Sequence, residues 1–162
     1  MNKEETIQFL YDKKIKFEIT EHKAVYNMEE VSRISLPYPE ANAKNLFVRD
    51  NKKRNYYLIT IKGEKKVNLK EFKIRNNTRS LSFATEEELL SILKLEKGAV
   101  TPLGLLNDQE IKVEFYLDDS FLNYPQLIGV HPNDNTATIW LNTRDLLSII
   151  EEHGNLIHVV PM

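Results

Sequence analysis

The first residues that could carry chemistry are Lys44 and Asn45, which precede the apolar run Leu46–Val48. Such a run predicts a buried strand, so the cation and the amide at its start would lie at a sheet rim, where functional groups are often placed. The alternative is a solvated surface lysine, since lysine is almost never buried without a partner. Lys44 is therefore a candidate functional residue, and other segments of the sequence must decide between the two interpretations.

Two glycine-containing segments could present backbone amides to a ligand. The sequence Gly-Val-His-Pro at 129–132 combines a glycine, which lets a backbone N–H approach closely, with a proline that stiffens the turn. Amides fixed in this way can form an oxyanion hole. The alternative for His131 is a rim histidine that hydrogen-bonds a carbonyl group. The loop Gly98–Gly104 is the second candidate for site-building backbone.

Several kinds of chemistry are excluded by the residues that the chain lacks. It has no cysteine, and it contains no Gly-x-Ser-x-Gly, no Walker phosphate loop and no His-Glu-x-x-His. The four histidines are scattered without ligand spacing, so we predict neither a metal nor a cofactor. His22 is most simply a surface or rim histidine. Without a membrane-length apolar run or a signal-peptide core, we expect a cytoplasmic protein.

Charge is distributed unevenly along the chain, although the net charge is only −2. The segment 44–79 contains twelve basic and three acidic residues, a charge of +9, and the remainder carries −11. A basic face on an acidic body is the electrostatic footprint expected for binding phosphate backbones. The alternative is a solvated hairpin and helix surface.

Capping residues and periodicity divide the chain into short elements. Helix starts are predicted at Asn2, Asn27, Asn68, Thr85 and Thr143. Strands are predicted at 16–22, 46–50, 56–61, 81–83, 113–117, 127–130, 136–141 and 157–160. We expect 113–117 to be half-buried and to form a meander with the two strands that follow it. The order predicts one α/β (α+β) domain over 1–162, with a strongly curved mixed sheet.

Together these segments resemble the YbaK/ProX-type aminoacyl-tRNA deacylases, which are related to the editing insertion domain of bacterial prolyl-tRNA synthetase. They appear in the family's order over roughly 100 residues. The segments that carry the resemblance are Lys44–Asp50, Tyr57–Thr60, Lys66–Lys70, Leu81–Ala84, Gly98–Asn107 and Gly129–Leu141. The similarity is greatest to the free-standing prolyl-tRNA deacylase branch.

The resemblance implies a barrel-like fold and hydrolysis of the ester that joins a wrong amino acid to the terminal adenosine of tRNA. In this branch the implied substrate is alanyl-tRNA(Pro), the product of a synthetase that mistakes alanine for proline. A proline pocket cannot strongly reject a smaller side chain, so a second site completes the discrimination. The implied partner is the acceptor end of tRNA(Pro), and prolyl-tRNA synthetase is left open as a further partner.

The resemblance also implies roles for particular residues. Lys44 matches the essential lysine and would bind the terminal phosphate or ribose, or the negative charge of the tetrahedral intermediate. His131 and Gly129 are its implied catalytic companions. The residues implied to line the aminoacyl pocket are Asn45, Val130, Gly98, Thr101 and Pro102. The residues predicted to follow the tRNA backbone are Lys52, Lys53, Arg54, Lys65 and Lys66.

Two departures from the family pattern limit how far the family's residue roles can be assigned to this sequence. Residues 40–43 are Glu-Ala-Asn-Ala, where the family has a glycine or histidine before the lysine, and Asn68 replaces an aspartate that caps a helix equally well. Three alternatives therefore stay open: a deacylase for cysteinyl or seryl esters, a non-catalytic tRNA-binding regulator or synthetase-associated module, and a small-molecule sensor of proline metabolism.

Overall fold

A computed structural model describes residues 1–162, with the exception of the side chains of Met28 and Ser32. The helices are α1 (Lys3–Asp12), α2 (Met28–Ser32), α3 (Leu69–Asn76), α4 (Glu86–Leu93) and α5 (Thr143–His153). The strands are β1 (Phe17–Glu21), β2 (Ala43–Asp50), β3 (Tyr56–Lys62), β4 (Leu81–Phe83), β5 (Val113–Asp118), β6 (Leu127–Val130), β7 (Ala137–Asn142) and β8 (Ile157–Val160).

The helices begin at the predicted caps with one exception. Asn2 and Thr85 each form a complete capping box with the glutamate three residues later. Helix α5 is capped by Asn142, whose side chain accepts the Arg144 amide, and not by Thr143 as predicted. The Thr143 hydroxyl is buried and donates to the Phe121 carbonyl, so it is already engaged.

The strands form two sheets that are linked at one point. The larger sheet has the order β4-β2-β3-β5-β8, and the smaller has the order β1-β7-β6. Strand β3 is antiparallel to β2 and parallel to β5, which confirms the predicted mixed sheet. An isolated parallel bridge between Asn42 and Gly129 joins the sheets. The described strands do not close into one barrel, so the barrel-like feature is not confirmed.

The predicted meander is wrong because β5 belongs to the other sheet. It lies between β3 and β8 and is parallel to both, whereas β6 and β7 form their own antiparallel pair. The half-buried assignment of 113–117 is also wrong, since Phe115 lies in one core and Tyr116 in another. A parallel strand covered on both faces reads as a nearly continuous apolar run.

Two cores hold the sheets in place. The larger core takes side chains from both sheets and from α1, α4 and α5, and the smaller lies between the large sheet and α3, where Phe72 packs. This packing leaves the start of β2 beside the ends of β1 and β6. Within the described part of the chain, no helix has the length and apolar character of a bilayer span.

Candidate functional site

A cavity of about 460 Å³ lies where β2 begins. Its lining comes from Asn42–Asn45 at the start of β2, from residues between His22 and Leu36, from Gly98 and Val100, and from His131 and Thr138. The cavity therefore brings together four residues that the sequence predicted: Lys44, Asn45, Gly98 and His131.

Lys44 and Asn45 lie inside β2, because that strand begins at Ala43 and not at the predicted Leu46. They pair with Ile61 and Thr60 of β3. The Asn45 side-chain oxygen accepts a 2.6 Å hydrogen bond from the Thr60 hydroxyl, which fixes the amide. The half-buried Lys44 forms no side-chain hydrogen bond or ion pair with any described residue. Its ammonium is therefore available to a ligand.

His131 is held in one tautomer by the backbone. Its Nδ1 lies 2.9 Å from the Ala137 carbonyl oxygen, which can only accept, so Nδ1 carries the proton. Burial lowers the pKa of His131 against the opposing effect of the Ala137 hydrogen bond, and the neighbouring His22 lowers it further. The imidazole is therefore neutral at pH 7, and its Nε2 carries a lone pair.

Sequence reasoning missed the pairing of His22 with Thr138. His22 Nδ1 lies 2.7 Å from the Lys23 carbonyl oxygen, and its Nε2 lies 2.9 Å from Thr138 Oγ1. The His22 ring also meets the His131 ring, with centroids 6.1 Å apart. The contact depends on the pairing of β1 with β7, in which Glu21 faces Ala137. No local pattern in the sequence reports that register.

The loop after α4 supports the cavity from one side. Gly98 lines it with φ of +91°, and a Cβ at this position would lie 2.6 Å from the Tyr26 ring, so only glycine lets that ring pack here. Thr101 is buried, and its hydroxyl donates to the His131 carbonyl at 2.7 Å. Pro102 is buried as the first residue of a 3₁₀ helix. Thr101 and Pro102 thus lie behind the lining.

Gly129 and Val130 also lie behind the cavity surface. A Cβ at Gly129 would lie 2.3 Å from the Trp140 indole, so the missing side chain makes room for that ring. The bridge from Gly129 fixes Asn42, which does line the cavity. Val130 is buried in the larger core. The catalytic role predicted for Gly129 and the substrate contact predicted for Val130 stay predictions.

The basic residues predicted to contact tRNA lie in two places. Lys52, Lys53 and Arg54 are exposed in the hairpin between β2 and β3. Six residue steps separate Lys44 from Asp50 in β2, so at about 3.3 Å per residue the hairpin lies about 20 Å from the cavity end of the strand. Lys66 is exposed in the segment that follows β3.

Lys65 differs from its neighbour because its ammonium is already engaged. It lies 2.9 Å from the fully buried Asp118 carboxylate and also donates to Ser120 and to the Met162 carbonyl. The tRNA contacts predicted for these basic residues stay predictions.

An ammonium without a side-chain partner among the described residues and a neutral imidazole line one cavity, an arrangement that suits a small polar ligand. Residues 22–149 match the aminoacyl-tRNA editing domain, and the chain belongs to that family. Family membership confirms the resemblance seen in the sequence and the predicted enzyme class, an aminoacyl-tRNA hydrolase.

Relatives cover almost the whole chain. It is 38% identical over 160 residues to the prolyl-tRNA editing protein ProX of Acetoanaerobium sticklandii, covering 99% of this chain and 97% of that protein. It is 34% identical over 144 residues to the prolyl-tRNA synthetase associated domain-containing protein 1 of Mus musculus, covering 87% and 85%. A crystal structure of a candidate trans-editing enzyme for prolyl tRNA synthetase has the same fold, with a TM-score of 0.68, 17% identity and coverage of 100% and 98%.

Proposed function

We propose that this protein is a trans-editing deacylase that hydrolyses the ester of mischarged tRNA(Pro), with alanyl-tRNA(Pro) as its main substrate. The observation that carries the proposal is the Lys44 ammonium, which has no side-chain partner among the described residues and lines one cavity with Asn45 and His131. A free cation in a partly desolvated cavity favours a ligand that is negative or that becomes negative during reaction. The similarity to a prolyl-tRNA editing protein supplies the substrate class.

The size of the cavity suits the end of the tRNA and not its stem. Its volume of about 460 Å³ falls within the range of roughly 300–1,000 Å³ that is typical of small-molecule sites. In the proposal it holds the terminal aminoacyl-adenosine, and the double-stranded stem lies outside. One wall is apolar and is formed by Val31, Ile34 and Leu36. A small aliphatic side chain such as that of alanine would lie against this wall.

The proposed reaction uses water as the nucleophile. Water adds to the ester carbonyl carbon, with help from the vicinal hydroxyl of the terminal ribose, and forms a tetrahedral intermediate with a negative oxygen. Lys44 stabilises this oxygen or anchors the adjacent phosphate. Collapse of the intermediate breaks the carbon–oxygen bond to the ribose, and the ribose oxygen takes up the proton that the attacking water gave up by way of the vicinal hydroxyl. The fixed Asn45 amide orients the ester.

The decisive experiment is a panel of esters on one tRNA. Purified protein is incubated with alanyl-, prolyl-, cysteinyl- and seryl-tRNA(Pro), and the loss of each ester is compared with its loss in buffer. We expect alanyl-tRNA(Pro) to be cleaved fastest and prolyl-tRNA(Pro) to be spared. If the alanyl ester survives as long as it does in buffer, the proposed substrate is wrong.

The same panel separates the alternatives. A faster loss of the cysteinyl or seryl ester would identify a deacylase for that residue, and tight tRNA binding without loss of any ester would identify a non-catalytic regulator. Binding of free proline without tRNA binding would favour a sensor. A synthetase partner is tested by adding prolyl-tRNA synthetase, which should raise the rate only if the two proteins associate. We expect this reaction to take place in the cytoplasm.

A further inference from the structure

Two atoms in the cavity are hydrogen-bond acceptors because backbone carbonyl groups fix which histidine nitrogen carries the proton. The first is His131 Nε2. Because Nδ1 donates to the Ala137 carbonyl, the neutral ring leaves Nε2 as an acceptor. This Nε2 forms no hydrogen bond with any described residue, and the ring lines the cavity.

The second acceptor is the Thr138 hydroxyl oxygen. The Lys23 carbonyl oxygen can only accept, so His22 Nδ1 carries a proton; in the neutral form of the ring, Nε2 is then left to accept a hydrogen bond from Thr138 Oγ1. With its proton committed to His22, the hydroxyl oxygen offers lone pairs to any other partner. Thr138 lines the same cavity as His131, and the imidazole to which it is bonded lies 6.1 Å from the His131 ring, centroid to centroid.

We propose that His131 Nε2 and Thr138 Oγ1 together bind the α-ammonium group of the aminoacyl ester. This inference rests on the proposed function and names the group by which that site recognises an amino acid. An ammonium group has three N–H donors and no acceptor, so it fits a pair of atoms that can only accept. The Asn45 side-chain oxygen already accepts from Thr60. Asn45 is therefore less suited to this task.

The lack of a carboxylate among the described lining residues supports binding of the substrate ammonium by uncharged acceptors. Among the described residues that line the cavity, none is Asp or Glu. A carboxylate within about 4 Å would attract the ammonium of the substrate, but it would also pair with Lys44 and reduce the positive charge available to the reacting ester. Two neutral acceptors bind one cation and leave the other free. The cavity can thus recognise the amino group without neutralising Lys44.

The test uses two analogues that cannot be hydrolysed and that differ mainly in the amino group. They are 3′-deoxy-3′-(alanylamino)adenosine and 3′-deoxy-3′-(propionylamino)adenosine, and their affinities are measured by titration calorimetry. We expect the wild type to bind the alanyl analogue at least about tenfold more tightly than the propionyl analogue, because the alanyl amino group adds two hydrogen bonds from a charged donor. Equal affinities, or no binding of either analogue, would overturn the inference.

Two variants show whether Thr138 accounts for the difference. Thr138→Val keeps the shape and removes the acceptor, and we expect it to lower the alanyl-to-propionyl ratio about fivefold with little change for the propionyl analogue. Thr6→Val is the matched control, because Thr6 is fully buried in α1 and does not line the cavity. An equal loss for both analogues in Thr138→Val would contradict the inference and indicate a structural role.

A third analogue excludes a competing donor on the ligand. The ribose hydroxyl could donate to the same acceptors, so the alanyl analogue is also prepared without its 2′-hydroxyl. If Thr138→Val costs the same affinity with and without that hydroxyl, the ammonium is the partner; if the cost disappears in the 2′-deoxy analogue, the inference fails. Binding is measured without ester cleavage, so a wild type that distinguishes the analogues but hydrolyses no alanyl-tRNA would contradict only the proposed function.

Discussion

The two ends of β2 carry basic side chains in opposite situations. Near the hairpin, Arg49 donates to Glu88 at 3.0 Å and to the Asp50 carbonyl, and Tyr56 donates to the same Glu88 at 2.6 Å. Near the cavity, Lys44 has no side-chain partner among the described residues. Basic side chains in this one strand therefore serve two different purposes. The hairpin end uses ion pairing to hold the fold, and the cavity end keeps a cation available for a ligand.

The largest effect is expected at the cavity end. Lys44→Ala should lower the rate of alanyl-tRNA(Pro) hydrolysis by about 100- to 1,000-fold, the usual cost of removing a group that stabilises an oxyanion. Its thermal unfolding midpoint should change little, since within the described part of the chain the ammonium has no side-chain partner to lose. Lys16→Ala, which removes an exposed lysine that precedes β1 and lies outside the predicted tRNA-contacting residues, is the control and should keep at least about half of the activity. Wild-type turnover in Lys44→Ala would contradict the central assignment.

The hairpin end should show the reverse outcome. Glu88→Gln should lower the free energy of unfolding by about 2 kcal/mol, because it takes the charge away from the partner of Arg49 and Tyr56. Hydrolysis by the folded protein should be unchanged. Glu87→Gln changes an exposed residue in the same turn, and its stability should be within about 0.5 kcal/mol of the wild type.

Acid should distinguish the wild type from Glu88→Gln. Burial would raise the pKa of Glu88, but hydrogen bonds from Tyr56, Thr85 and Arg49 outweigh it and lower the pKa from 4.5 to about 2. A depressed carboxyl pKa stabilises the fold above the unfolded value and loses that effect as pH falls through the folded value. Between pH 5 and 2 the wild type should lose about 3 kcal/mol through this group. A difference between the two proteins that does not change with pH would argue against this account.

The pH dependence of catalysis should instead follow His131. Its folded pKa lies below 6.5 because of burial and His22, although Asp134 and the Ala137 hydrogen bond act in the other direction. Protonation would convert Nε2 from an acceptor to a donor facing a substrate ammonium. We therefore expect kcat/KM for alanyl-tRNA(Pro) to fall about tenfold per pH unit below that pKa. A fall that begins above pH 7 as the solution is acidified would show that the pKa of His131 is raised and not lowered.

The smallest effect concerns two neighbouring lysines. Lys66→Ala should raise the KM for tRNA by about two- to fivefold at low salt and by less at high salt, as expected for an exposed phosphate contact. Lys65→Ala should leave KM unchanged and lower the free energy of unfolding by about 1–2 kcal/mol, because the buried Asp118 carboxylate loses its cation. A similar KM effect in both variants would remove the distinction between engaged and available cations.

Local signals predicted much of the fold. The capping boxes at Asn2 and Thr85 gave the starts of α1 and α4, because a cap depends on residues three positions apart. The partner of β5 could not be found in this way. Its neighbours β3 and β8 are chosen by packing on both faces, and Tyr116 reads as polar in sequence although it is buried in the smaller core. Strand order is a property of the whole chain.

The residues of the candidate site show the same difference between local signals and strand pairing. Lys44, Asn45, Gly98 and His131 were found from local patterns and from the resemblance of their segments to a known family, and the structure brings all four to one cavity. Thr138 was missed because the role proposed for it depends on a contact with a residue 116 positions away in sequence. Sequence reasoning therefore identified side chains with recognisable neighbours and missed those defined only by strand register.

The close contact between Gly129 and Trp140 has a consequence for how this chain can vary. A Cβ at Gly129 would come within 2.3–3.0 Å of three indole carbons, all on the six-membered ring. A mutation that adds a side chain at 129 can therefore persist only after, or together with, a smaller residue at 140. In a library randomised at both positions, survivors with alanine at 129 should have lost the tryptophan, whereas survivors with glycine at 129 should tolerate several residues at 140. The order in which the two substitutions arise would then decide whether the one at 129 survives.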